Sequence, residues 1–345
     1  MKNTNILIIK YGSLGDVLRT TSFLKGLRSK YKRSDIYWLT SPEAEKIIIN
    51  NHLIKHVLVY SDKIAGYLLS KNFDLVISLD DDIGLCKLAS ILKTKRLIGS
   101  FWNKKDFVSY TDELKDYFDM GLISRYGRSK ADKLKKLNKK TYQDIISEGL
   151  KIKKSAPILQ INKRSLIFAD RFSKIHDLGK KIIIGLNTGA GKRWERKKLS
   201  EAKTAFLSDL LVKELNADVI IFGGRDEIKR NKEIKKLAKM PIIDAGNDNS
   251  LMDFAALVNL CDILVTSDSL ALHIGVALKK YVIAFFGPTS HYEIDLFGKG
   301  EKIITRLKCL CCYKNKCAKN PNCMDYVRAE RILVSAKRYL YSFMK

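Results

Sequence analysis

Short β-rich apolar runs alternate along this chain with stretches in which apolar residues recur every three or four positions, the pattern of strand and amphipathic helix in turn. In the first half the predicted strands are Ile6 to Lys10, Ile36 to Thr40, Val57 to Tyr60, Leu75 to Leu79 and Arg96 to Ser100. The second half offers Ile182 to Asn187, Asp218 to Phe222, Pro241 to Asp244, Ile263 to Thr266, Val282 to Phe286 and Lys302 to Thr305. Strands separated by helices read as parallel α/β sheets, so two doubly wound, Rossmann-like domains are expected. Residues 103–180 carry no strand of comparable strength and read as helical, with patterns at Tyr142 to Leu150 and Ser165 to Leu178. We place a first domain with its helical linker at 1–177 and a second at 178–324. A final amphipathic helix at 325–345 is expected to pack back on the first domain.

The chemistry collects at the turns that end strands. Gly12 and Gly15 follow the first strand, with Asp16 opening the next helix; the spacing is G-x-x-G rather than the G-x-G-x-x-G of dinucleotide sites. Asp16 suits a helix N-terminus, and equally suits a general base at the carboxyl edge of a parallel sheet. In the second half Thr188, Gly189 and Gly191 form a small-residue turn followed by Lys192, a cradle for a diphosphate or a solvated basic loop; no Walker A motif is present. Past the next strand come Gly223, Gly224, Asp226 and Glu227; an isolated Asp-Glu pair more commonly marks an exposed helix start, and a carboxylate placed there can also accept ribose hydroxyls. After Ile263 to Thr266, Asp268 and Ser269 precede a helix whose His273 lies about one turn on, so polar groups gather at the positive end of a helix dipole. Ser250 and Asp253 read as a purely structural capping box.

Composition then limits the partners. The 345 residues are 46% hydrophobic and carry a formal net charge of +27, with Lys and Arg spread through both halves, which favours anionic partners. No apolar run approaches the ~18 residues of a membrane span, and the opening apolar run is too short for a signal peptide, so a cytoplasmic protein is expected. Five of the seven cysteines, Cys309, Cys311, Cys312, Cys317 and Cys323, fall in one C-x-C-C-x4-C-x5-C stretch. They lack the paired C-x2-C spacing of a zinc ribbon, which leaves structural thiols, a metal or iron–sulfur site, and disulfides as alternatives.

Taken in order, YGSLGDVLRTTSFLKGLR, NKKTYQDII, GLNTGAGKRW, FGGRDE, TSDSLALHIGVAL, FFGPTS and CLCCYKNKC resemble the ADP-heptose:lipopolysaccharide heptosyltransferases, inverting glycosyltransferases of the GT-B fold. The resemblance spans nearly the whole chain. It implies two Rossmann-like domains facing a central cleft, with Asp16 beside Gly15 as the base that activates an acceptor hydroxyl. Thr188, Gly189 and Lys192 would hold phosphate, Glu227 the ribose, Asp268 the donor sugar, and Ser269 and His273 the diphosphate. No cofactor is required for such transfer. The implied donor is ADP-heptose-like, and the implied acceptor an anionic lipid-linked glycan at the inner face of the inner membrane, with no nucleic acid. Many members carry glycine after the Asp-Thr/Ser pair; this chain has Leu270. Two other classes remain: a basic nucleic-acid- or membrane-surface-binding protein without catalysis, and a nucleotide-sugar epimerase on a similar plan.

Overall fold

The computed structural model describes residues 3–191 and 195–341. The chain divides into two compact units, Met1–Gln160 with Tyr292–Asp295, and Ile161–His291 with Leu296–Lys345. In the first, strands β1 (Thr4–Ile9), β2 (Ser34–Thr40), β3 (His56–Val59), β4 (Leu75–Ser78), β5 (Leu97–Trp102) and β6 (Val108–Tyr110) form one sheet in the order β3-β2-β1-β4-β5-β6. The second sheet runs β9-β8-β7-β10-β11-β12, from β7 (Ile183–Asn187), β8 (Asp218–Phe222), β9 (Ile243–Asp244), β10 (Ile263–Ser267), β11 (Tyr281–Phe286) and β12 (Gly300–Ile304). Both sheets therefore share one strand order. In each, the order reverses between the first strand and the fourth, where the carboxyl ends of two central strands open a crevice.

Each predicted strand is present, although Pro241 to Asp244 shrinks to the two residues of β9. Antiparallel β6, only three residues long, escaped the periodicity because a run so short shows no repeat. The helices that matter below are α1 (Leu14–Thr20), α2 (Gly127–Leu137), α3 (Tyr142–Leu150), α4 (Lys163–Ile175), α5 (Glu201–Leu215), α6 (Leu251–Leu260), α7 (Leu270–Ala277) and α8 (Ala329–Tyr341). Their starts follow local chemistry. Thr141 and Asp144 close both bonds of a capping box on α3, and Ser250 accepts the Asp253 N–H at 3.2 Å to start α6.

Two packing choices differ from the sequence expectation. Helix α4, read as part of the linker to the first domain, packs against α6 of the second unit. The C-terminal helix α8, expected on the first domain, belongs to the second unit. Its apolar face, Ile332, Leu333 and Ala336, is buried in the second unit's core beside Leu207 and Leu211 of α5 and Ile283 of β11. Burying each such aliphatic side chain is worth roughly 1.5–3 kcal/mol, and the face of the second sheet offers that burial directly after β12. The first unit has its own core, in which Leu7, Ile9 and Val76 of the strands meet Leu85 and Leu88.

Candidate functional site

At the carboxyl end of β1 the chain turns through Gly12 and Ser13 into α1, whose first turn holds Gly15 and Asp16. The Asp16 carboxylate is gripped from two sides: Arg19 Nη2 lies 2.8 Å from Oδ1, and Ser13 Oγ donates to Oδ2 at 3.2 Å. About a third of the Asp16 side chain remains exposed (34%), against 13% for Arg19. The Arg19 guanidinium stacks 3.9 Å over the Tyr142 ring, and the Tyr142 hydroxyl meets Thr20 Oγ1 at 2.8 Å. Behind them Lys10 is buried, donating to the Leu79 carbonyl at 3.1 Å and to Asp80 at 3.3 Å. Burial acts to discharge Lys10, but the carboxylates of Asp80 and Asp16 oppose it, and its pKa is raised. Burial pushes the Tyr117 and Tyr142 hydroxyls up, so both stay neutral donors at physiological pH.

The second unit gathers more of the expected residues. Asn187, at the end of β7, donates to the Gly189 carbonyl at 2.7 Å, to Thr266 Oγ1 at 3.1 Å and to Ser269 Oγ at 3.3 Å. This ties the turn after β7 to the turn after β10 at the strand-order reversal. Glu227 is buried; its Oε1 accepts from Lys198 at 2.6 Å and its Oε2 from the Gly224 N–H at 3.1 Å. A Cβ on residue 189 would stand 3.1 Å from Glu227 Oε2, so glycine there lets the turn pass close over the carboxylate. Asp268 accepts from Lys197 Nζ at 2.8 Å, and the same ammonium donates to the Asp268 carbonyl at 2.8 Å. Burial opposes ionisation of Asp268, yet Lys197 and His273 prevail and hold its carboxyl below the usual range.

Between these turns lies a cavity of about 460 Å³. Gly189, Gly191, Gly223 and Gly224 present backbone on one side, with Asn247 and Asn249 beside them. Leu251, Phe254 and Leu270 supply an apolar wall. Leu270, the first residue of α7 after the N-cap Ser269, thus puts a side chain into the cavity lining where the resemblance expects bare backbone.

Gly189 and Ser269 line this cavity, Glu227 lies directly beneath Gly189, and Asp268 and His273 flank Ser269 along the chain, outside the lining. Thr188 does not join them. Its hydroxyl is turned inward, engaging the Phe222 carbonyl at 2.9 Å and Asn231 at 2.6 Å, which makes it a brace between neighbouring strands. Lys192 lies outside the described residues. The sequence reading missed Asn187, Lys197, Lys198, Arg19 and Tyr142. The two lysines were hidden in a run of basic residues, in which nothing local separates a buried ammonium from a solvated one.

The cysteine stretch contains only free thiols, with Cys311 buried and Cys309, Cys312, Cys317 and Cys323 half-buried. Burial, aided by neighbouring Cys312 and Cys317, pushes the Cys323 thiol up to about 11. Among the described residues no group of three or more His, Cys, Asp or Glu side chains is arranged to hold a metal ion, so the metal or iron–sulfur alternative gains no support.

A pair of doubly wound sheets, with a cavity at the strand-order reversal of the second, defines an α/β protein of two Rossmann-like units. The chain belongs to glycosyltransferase family 9 (heptosyltransferase), whose model matches residues 62–322. It is 27% identical over 173 residues to lipooligosaccharide heptosyltransferase 2 of Campylobacter jejuni, a match covering 47% of this chain and 52% of that protein. The chain thus spans about half the length of that relative. With lipopolysaccharide heptosyltransferase 1 of Campylobacter coli it shares 23% identity over 358 residues, covering 96% of this chain and 98% of the other. The solved family 9 glycosyltransferase of Veillonella parvula superposes with a TM-score of 0.76 at 20% identity, covering 98% and 97% of the two chains. The fold is the GT-B plan.

Proposed function

We propose that the protein is an inverting glycosyltransferase that moves a sugar, of the heptose class, from an ADP-sugar donor to a lipopolysaccharide core or similar anionic lipid-linked glycan. The observation that carries this reading is the second-unit cavity of four glycine backbones and an apolar wall, with two lysine-paired carboxylates, Glu227 and Asp268, on the turns beside it, in a chain of family 9. An apolar wall suits a nucleobase, and glycine backbone admits phosphates at close range. Glu227 uses two of the roughly four acceptor positions of a carboxylate on Lys198 and Gly224, leaving acceptor capacity for ribose hydroxyls.

In the proposed reaction Asp16 takes the proton of an acceptor hydroxyl, and that oxygen bonds to the donor's anomeric carbon. The bond from that carbon to the diphosphate oxygen breaks with its electron pair, and the configuration inverts. Ser269, His273 and Lys192 stabilise the departing diphosphate, and Asp268, fixed by Lys197, orients the sugar; no metal is needed in this scheme. Among the described residues no helix is long and apolar enough to cross a membrane. The charge of +27 supports peripheral association with the inner face of the inner membrane, where such an acceptor is anchored.

A thermal-shift panel of ADP, ADP-sugars, UDP-sugars and single-stranded RNA tests the reading. An ADP-sugar present at ~100 times its dissociation constant stabilises by about 2.7 kcal/mol. Stabilisation by RNA alone would return the non-catalytic alternative, and conversion of the donor without acceptor would return the epimerase.

A further inference from the structure

We propose that one face of the first unit, made by the β5–β6 turn, the 119–126 segment and α2, docks the protein on an anionic lipid bilayer. The turn is built to hold its tip outward. Asn103 N–H donates to the Phe107 carbonyl at 3.0 Å, and Asn103 Oδ1 accepts the Lys105 N–H at 2.8 Å, leaving Lys104 and Lys105 exposed. Phe107, half exposed at 51%, lines an open cavity of about 600 Å³ together with Leu122, which is 74% exposed. The cavity is amphipathic: Val108 and Ile123 line it, and so does Arg125. It is also braced, because the Tyr110 hydroxyl donates to Asp119 while Arg125 donates to Asp119 at 3.1 Å and, through its backbone, to Tyr110 at 2.8 Å. Exposed apolar side chains on a braced surface mark contact with something apolar.

Helix α2 follows the 119–126 segment directly in the chain. It buries only Ala131, and Leu137 is 73% exposed at its end. Tyr126, just before it, is half exposed with Lys130 Nζ 3.9 Å over its ring. Residues 125–140 hold eight Lys and Arg and a single acidic residue, Asp132. Basic side chains flanking exposed Phe, Leu and Tyr are the makeup of an interfacial segment, in which ammonium groups meet lipid phosphates and the apolar groups enter the headgroup boundary. Charge complementarity selects an anionic bilayer. A nucleic acid would answer the charge but leave Leu122 and Leu137 in water. The proposal deepens the membrane-side reading above and rests on it for the choice of partner. The assay below contains neither donor nor acceptor, so it can fail while transfer stands, and transfer can fail while docking stands.

The full-length protein is sedimented with vesicles of phosphatidylcholine alone and of phosphatidylcholine with phosphatidylglycerol, at low and high salt. Binding is expected only to the anionic vesicles, and to fall steeply with salt. Lys133→Glu/Lys136→Glu should lower the partition constant on the order of tenfold or more. Phe107→Ser/Leu122→Ser should weaken it several-fold while keeping the salt dependence, and both variants should melt like the parent because these side chains are exposed. As a separate readout, tryptophan placed by Phe107→Trp should shift its emission to the blue on anionic vesicles and be quenched by brominated lipid. Parent-like vesicle binding by the charge variant, or no shift for Phe107→Trp on vesicles that bind the protein, overturns the proposal. So does binding of single-stranded RNA, but not vesicles, that is lost in Lys133→Glu/Lys136→Glu.

Discussion

The two units repeat one strand order, yet they hold the carboxylates at their sheet edges in opposite ways. Asp16 stands on the rim, a third exposed and paired with an arginine that is itself stacked on Tyr142. Asp268 and Glu227 are sunk into the second unit, each facing a lysine, with their side chains 18% and 6% exposed. A rim carboxylate is open to exchange a proton with a hydroxyl brought to it; a sunken one already held by a lysine is placed to accept from, and orient, a bound hydroxyl. In the proposed reaction the same scaffold would separate proton chemistry from ligand positioning by depth and by the choice of cationic partner.

The sharpest way to break the contrast is Asp16→Asn, which keeps the size of the side chain and removes its basicity. Transfer should fall by about a thousandfold while ADP stabilises the variant as it does the parent. Near-parental turnover would remove Asp16 from the chemistry.

Next in size is Lys197→Met, which leaves Asp268 ionised and without its nearest cation. A loss of roughly 3–5 kcal/mol of stability is expected, read from urea unfolding, and Lys197→Met/Asp268→Leu should recover most of it. The sign with pH is set by the lowered folded pKa of Asp268. Its stabilisation is fully present above the unfolded value of about 3.9 and is lost as pH falls through the lower folded value. The gap in Tm between the parent and Asp268→Asn should therefore be constant near neutrality and close in strongly acid solution. A gap that widened in acid would contradict the assigned pairing.

A smaller effect is expected at the rim from Arg19→Gln, which removes one of the two groups holding the Asp16 carboxylate. About a tenfold drop in kcat with little change in donor affinity would mark Arg19 as a positioning residue. Smallest is Leu270→Gly in the cavity wall. It should change donor affinity several-fold without altering Asp16-dependent turnover at saturation, since it reshapes the second unit alone. Isothermal titration with ADP and an ADP-sugar separates the two terms.

Much of this was legible in the residues because it is local. Period-2 and period-3.6 patterns located the strands of both sheets, and Ser250 and the glycine turns after β1, β7 and β8 announced where helices and crevices begin. Glu227, Asp268 and Ser269 stood out as candidates for the same reason: each lies in the turn after a strand whose end is visible in the sequence. Three features were not legible. Thr188 reads as a phosphate ligand by its place after β7, but its hydroxyl is drawn into the sheet by Asn231, 43 positions away. Helix α8 reads as an amphipathic helix expected on the first domain, and which core it covers depends on the surface left open beside β12. The lysines at 197 and 198 look like their neighbours until Asp268 and Glu227 are brought opposite them.

By itself, then, the sequence determined the alternation of strand and helix, the turns that can carry a site, and the carboxylates that stand at them, because each depends on residues a few positions apart. Only the tertiary structure decided which cation each carboxylate meets, that Leu270 lines the cavity, and that Asp16 stays at the rim while Asp268 and Glu227 sink. Those outcomes rest on distances across the sheet between residues 29 and 71 positions apart, as for Glu227 with Lys198 and Asp268 with Lys197, and no local pattern encodes such distances.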